Sequence, residues 1–198
     1  MTVNNFLPKK EIEILIKWLK SLQRPDGGFS ENANQPSRID YTYYVVRSLI
    51  KLNSLGKINK KRLIRFIIST NHPDGGFGNM PGQKAHPQFT SYAIFMLKEL
   101  KSIGEAGIQK KINWLKSLQR PDGGFSESPG KSSCVSFTYY VIRCLFLLNA
   151  ISHIDKKKVI KFILSTKHPN GGFGNQPGQK PNPLVIKHVV FLLEEIAI

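Results

Sequence analysis

The sequence predicts an all-α protein: eight helices paired into four helical hairpins and stacked as an open arc on a 48-residue repeat. Three observations predict it. The tripeptide Gly-Gly-Phe occurs four times, starting at Gly27, Gly75, Gly123 and Gly171, each 48 residues after the last. Self-similarity at a fixed period marks stacked units, because each unit buries its apolar face only against its neighbours. A second period lies on the first. LKSLQRPDGGFSE stands at 19–31 and again at 115–127, and His72 to Lys84 returns nearly unchanged as His168 to Lys180, an A-B-A-B order. Between the tripeptides, apolar residues recur at helical spacing.

The first helix is expected over Lys9 to Leu22, with Ile12, Leu15, Ile16, Leu19 and Leu22 on one face and Trp18 beside them. The second runs from Asp40 to Asn53, its stripe made of Tyr41, Tyr44, Val45, Leu49 and Leu52, and Gly56 breaks it. The third spans Ile58 to Thr70 and turns Leu63, Phe66 and Ile67 inward. The fourth spans Gln88 to Ser102, punctuated by Gly104 and Gly107. The second half places helices at Ile108 to Leu118, Ser136 to Asn149, Asp155 to Thr166 and Pro183 to Ile196. Asp155 suits a cap and Pro183 a first helical turn.

Each Gly-Gly-Phe follows Pro-Asp or Pro-Asn. Pro fixes φ, the short polar side chain bonds back to the backbone, and Gly takes positive φ, so a tight turn after a helix is expected. The Phe then enters an apolar seam. A phosphate-binding loop would need a preceding strand and a G-x-G-x-x-G or Walker pattern, and neither is present. The long connections at 23–38 and 73–87 follow these turns and should gather at one end of the assembly, where function collects.

The 198 residues can bury a core, and the repeat makes 1–198 one domain. No run of eighteen apolar residues predicts a membrane span, and Met1 to Pro8 lacks a leader's apolar core. The two cysteines, Cys134 and Cys144, form neither a disulfide framework nor zinc spacing, so a cytoplasmic location is expected. A net charge of +16 admits nucleic acid, an anionic membrane face, an acidic partner or an anionic substrate without choosing among them.

Leu22-Gln23-Arg24-Pro25-Asp26-Gly27-Gly28-Phe29 resembles the repeat of the α/α-toroid superfamily, which includes protein prenyltransferase β subunits and the squalene and oxidosqualene cyclases. Phe66 to Ser69, then His72 to Gly78 and Pro81-Gly82, is similar to the prenyltransferase version, as is Phe162 to Ser165 through Pro177-Gly178. The resemblance implies a partial α/α toroid, since a full one has more hairpins than four. It also implies that the helix after each Gly-Gly-Phe loop lines the inside. Tyr41, Tyr43, Tyr44, Phe89, Tyr92, Phe95, Phe137, Tyr139 and Tyr140 fall on those helices, where the family holds an isoprenoid chain. Core packing is the other reading of these aromatics.

The family's zinc ligands, an Asp and a Cys before an inner helix and a His one double unit on, fall on Cys134, Ser136 and Val185. In the first half they fall on Arg38, Asp40 and Phe89. No metal site and no cofactor is therefore expected, although zinc belongs to the family, and no catalytic residue is assigned. The cyclases' acidic motif and the thioester Cys-Gly-Glu-Gln run are absent as well. Lys131 matches a lysine that helps bind the isoprenoid diphosphate, and Ser128 stands at its companion arginine's place. Arg47 and Arg143, at equivalent points of inner helices, could face the same anion, with Tyr44, Tyr92 and Tyr140 along the chain's path.

An open arc leaves apolar end faces, so self-association as a homodimer, a partner subunit or a bound apolar ligand is expected. The basic residues form outer clusters: Lys9, Lys10, Lys17 and Lys20; Lys57, Lys60, Lys61, Arg62 and Arg65; Lys110, Lys111 and Lys116; Lys156, Lys157, Lys158 and Lys161. They read as a solvated face or as a surface for an acidic protein; nucleic acid is not expected, since no module for it is present. Two functions follow: an isoprenoid-diphosphate protein related to the prenyltransferases, or a non-catalytic docking module.

Overall fold

The computed structural model describes residues 7–32 and 34–196. Of the stretch Met1 to Pro8 read for a leader's apolar core, residues 1–6 lie outside them. The helices are α1 (Lys9–Ser21), α2 (Ile39–Lys51), α3 (Lys60–Ser69), α4 (Pro87–Glu99), α5 (Ile108–Ser117), α6 (Val135–Leu147), α7 (Lys156–Ser165) and α8 (Pro183–Ile196). Four begin where the sequence offers a reason. Asn59 and Asp155 accept from the backbone N–H three residues on, at 3.0 and 3.1 Å. Pro87 and Pro183 occupy first-turn positions where no N–H is needed.

The even-numbered helices form an inner layer, α2 on α4, α4 on α6 and α6 on α8, and each odd-numbered helix packs outside its successor. This is a partial α/α toroid. One apolar core runs through it, from Ile16 and Leu19 of α1 to Val189 and Leu192 of α8. The inner helices α2, α4 and α6 end alike, on a residue in the left-handed region: Asn53, Lys101 and Asn149. The next N–H then bonds back to Leu49, Leu97 and Leu145 at 2.7–2.9 Å.

The Gly-Gly-Phe segments are tight turns. At the first, Gly27 has φ +98°, and Asp26 Oδ1 accepts the Gly28 N–H at 2.9 Å. The turn doubles the chain back, so Phe29 bridges to Gln23, Phe77 to Asn71, Phe125 to Gln119 and Phe173 to Lys167. At the third loop this grows into a two-residue ladder, β1 (Phe125–Ser126) against β2 (Ser133–Cys134), which the helical periodicity does not foretell. Phe29, Phe77 and Phe125 are fully buried, and their N–H groups donate to Thr42, Thr90 and Thr138 Oγ1 at 2.8–3.0 Å. Phe173 is only half-buried, and Ile186 stands where that threonine would be.

Each of the first three loops seats on the outer helix of the next hairpin. A Cβ on Gly27 would lie 2.3 Å from Arg62 O of α3, one on Gly75 2.7 Å from Trp114 Cβ of α5, and one on Gly123 2.2 Å from Lys158 O of α7. Real contacts of that length do not occur, so these glycines are required by close approach. Among the described residues, nothing lies within 4 Å of the same position at Gly171.

Candidate functional site on the inner wall

Successive inner helices align their aromatic rings across the concave face. Tyr43 of α2 stacks on Tyr92 of α4, centroids 3.9 Å apart and planes at 3°. Tyr44 meets Tyr92 edge-on at 6.0 Å, their hydroxyls 3.4 Å apart, and Tyr92 meets Tyr140 edge-on at 5.9 Å. Tyr139 stacks on His188 of α8 at 4.2 Å and packs edge-on against Phe191. The hydrogen bond to Tyr92, with burial, pushes the Tyr44 hydroxyl up to about 12, and burial pushes the Tyr92 hydroxyl up to about 12 against the lowering by that same bond, so both stay neutral at physiological pH.

Two guanidinium groups meet on this wall. Tyr43 Oη accepts from Arg47 at 3.1 Å and from Arg143 at 3.0 Å, and Arg143 also donates to Ser91 Oγ at 3.2 Å. Arg143 lies over the rings of Phe95 and Tyr43, 5.2 and 5.5 Å from their centroids, and Arg47 lies 5.5 Å from that of Tyr43. Among the described residues neither arginine makes an ion pair. The positive charge is held by ring faces and hydroxyls alone, which leaves room for an anion to add charge-assisted hydrogen bonds.

The structure thus brings Arg47, Arg143, Tyr44, Tyr92 and Tyr140 together through Tyr43. Lys131 stands elsewhere. It is exposed and lines an open groove of about 530 Å³ with Arg120, Asp122, Ser133 and Gln176, and none of the five inner-wall residues lines it. In that groove Asp122 accepts from Ser133 Oγ, and Gln176 Nε2 donates to the Ser133 carbonyl at 3.0 Å.

The positions matching the family's zinc ligands hold other bonds. Cys134 is buried and caps α6 by accepting from the Phe137 N–H, and burial pushes its thiol up. Ser136 Oγ donates to Asn175 Oδ1 at 3.0 Å. Val185 is buried in the core; His188, one turn on, is the residue that reaches Ser136 Oγ, at 3.5 Å. In the first half, Asp40 is held by Arg38 and by Asn79 Nδ2. Among the described residues no group of three or more His, Cys, Asp or Glu side chains is placed to hold a metal ion. One thiol, one hydroxyl and one imidazole do not make a zinc donor set, so zinc does not fit these residues.

Other residues here had no distinct signal in the sequence. Asn79 accepts the Asp40 N–H through Oδ1 and the Ile39 N–H through its carbonyl; Asn175 does the same for Ser136 and Val135. These asparagines close the first turns of α2 and α6. Lys111 corrects the reading of the basic clusters as wholly solvated. It is 1% exposed, its Nζ donates to Asn71 Oδ1 at 2.6 Å and lies over the Phe77 ring, and burial lowers it to about 8.

The family model described as the prenyltransferase alpha-alpha toroid domain matches residues 2–133 and 32–183. No curated protein matches the chain by sequence. Among solved structures, Candida albicans protein geranylgeranyltransferase-I complexed with GGPP superposes with a TM-score of 0.84 at 21% identity. The match covers 97% of this chain and 61% of that one, so the likeness is one of fold. No described helix is long and apolar enough to cross a membrane.

Proposed function

The chain belongs to the prenyltransferase alpha-alpha toroid family, and on that premise we propose that it binds an isoprenoid diphosphate on its inner wall. The observation that carries the reading is the Arg47–Tyr43–Arg143 cluster: two cations on one hydroxyl, without a carboxylate, beside a run of stacked rings. The arginines would take the diphosphate, and Tyr44, Tyr92 and Tyr140 would flank the hydrocarbon. Lys131, in its own groove, would meet only the outer end of a long ligand or none of it. No transfer step is drawn through zinc, because the donor set does not fit.

The same reading takes 1–198 as one cytoplasmic domain with a stacked 48-residue repeat that associates with itself or with a partner subunit. The free thiols Cys134 and Cys144 support the compartment. A docking role for the basic outer face is the second reading. It draws on α3, α5 and α7, which open without an acidic residue in the first turn.

Calorimetric titration with GGPP tests the binding site. The wild-type chain should bind, and Arg47→Ala with Arg143→Ala should weaken binding by about tenfold to a hundredfold, the scale of losing charge-assisted bonds. Lys131→Ala should change it little. Failure of the wild type to bind, or equal binding by the double variant with its helix content intact, would remove the proposal.

A further inference from the structure

The two ends of the arc are complementary copies of a contact that the chain already makes inside itself. The second loop seats on α5: Cβ atoms built on Gly75 and Gly76 would each lie 2.7 Å from Trp114, and that indole is 8% exposed. The fourth loop is nearly the same sequence as the second, His168 to Lys180 against His72 to Lys84. Yet Gly171 faces open space and Phe173 is only half-buried. At the other end, α1 carries Trp18-Leu19-Lys20-Ser21, the same run as Trp114 to Ser117 of α5. Trp18 is 55% exposed. Among the described residues, a loop of the second type stands unseated at one end of the arc and a helix of the α5 type unoccupied at the other.

The inner layer shows the same pairing. Ile94 of α4 is fully buried, and Val190, its counterpart in α8, is 49% exposed. Tyr140 of α6 sits edge-on to Tyr92. Its counterpart Tyr44 in α2 is 55% exposed, and the counterpart of Tyr92 is His188. Charge is also accommodated. Inside the chain, buried Lys111 of α5 bonds Asn71 of the second loop. The corresponding pair at the ends is Leu15 of α1 and Lys167 of the fourth loop, so two lysines never face one another.

We infer that copies of this chain associate head to tail, the fourth loop and α8 of one copy seating on α1 and α2 of the next. The contact repeats the second loop on α5 and α4 on α6, and it keeps the alternation of the two loop types across the junction. Trp18 fills the place of Trp114, and Tyr44 reaches His188 of the neighbouring copy. Such a contact is heterologous: it closes into a ring or runs on as a series. The inference deepens the self-association named under Proposed function and rests on it.

Sedimentation velocity without ligand, over a concentration series, tests it with two surface variants, one for each end. Trp18→Glu spoils the receiving end and Val190→Glu the donating end. Both side chains are exposed, and circular dichroism checks that the fold is kept. The wild type should be a dimer or a longer series. Each variant alone should associate at least about a hundredfold more weakly, the scale of a buried aromatic anchor. An equimolar mixture should regain dimers, because Trp18→Glu keeps a sound tail and Val190→Glu a sound head. A monomeric wild type would overturn both this contact and self-association. An oligomeric wild type with unaffected variants, or a mixture that fails to recover dimers, would overturn this contact alone. GGPP titration decides the ligand reading separately.

Discussion

His188 shows what one side chain gains and risks on this wall. Its ring is stacked on Tyr139 and 7% exposed, and burial together with the nearby Lys187 lowers its pKa from 6.5 to about 4. The unfolded chain therefore binds a proton here that the folded chain does not, between pH 6.5 and 4. Stability from this residue is complete above that window and is lost as pH falls through it. His86, lowered in the same direction by burial, adds to the slope. Urea midpoints should drop between pH 7.5 and 5, and His188→Gln should flatten the decline. A slope unchanged in the variant would remove His188 from the account. The sequence marked the aromatic wall but not this histidine. An aromatic run shows that rings share a helix; which neighbour they stack on is decided by an element some fifty residues away. The same reason hid the role of Tyr43, which counted among the wall aromatics but not as the acceptor shared by two arginines, and that of Lys111, whose acceptor is Asn71 of the second loop.

At the scale of elements, the helices were legible because period, caps and glycine turns all agree. The boundaries moved by a few residues at most, and Asp155 and Pro183 stand where capping chemistry puts them. Less legible was how α4 ends. Asn53 and Asn149 tolerate the left-handed conformation that closes α2 and α6, but α4 uses Lys101 at φ +57°. An L-residue with a long side chain is strained there by roughly 1 kcal/mol. Lys101→Gly should therefore raise stability to urea by roughly 0.5–1 kcal/mol, the range in which relief of that strain exceeds glycine's greater unfolded freedom. A loss of stability on that change would mean that Lys101 makes a compensating bond.

The whole molecule carries +16 on 198 residues, and Lys158 with Asp155 is the one lysine–carboxylate pair among the described residues. Self-repulsion of that size opposes compaction and is screened over about 10 Å at 0.1 M salt. The thermal midpoint should rise by several degrees between about 10 mM and about 0.3 M sodium chloride. A flat or falling midpoint would show that the lysines are neutralised by something bound. The arc itself could be read from four turns in register. The head-to-tail contact inferred above was not legible there, because it depends on which side chains the internal neighbours bury.

The asparagine clamps carry a consequence for how such a chain can change in length. Asn79 closes the start of α2, and Asn175 closes the start of α6, each reaching back across one hairpin. The starts of α4 and α8 are served locally, by His86 and Asn182. Removing or adding a single hairpin would leave either a clamped helix start without its asparagine or an asparagine without its helix start. Removing or adding two together would strand none. The smallest segment that can be inherited or deleted without a structural penalty is therefore a pair of hairpins, and viable lengths should come in even steps.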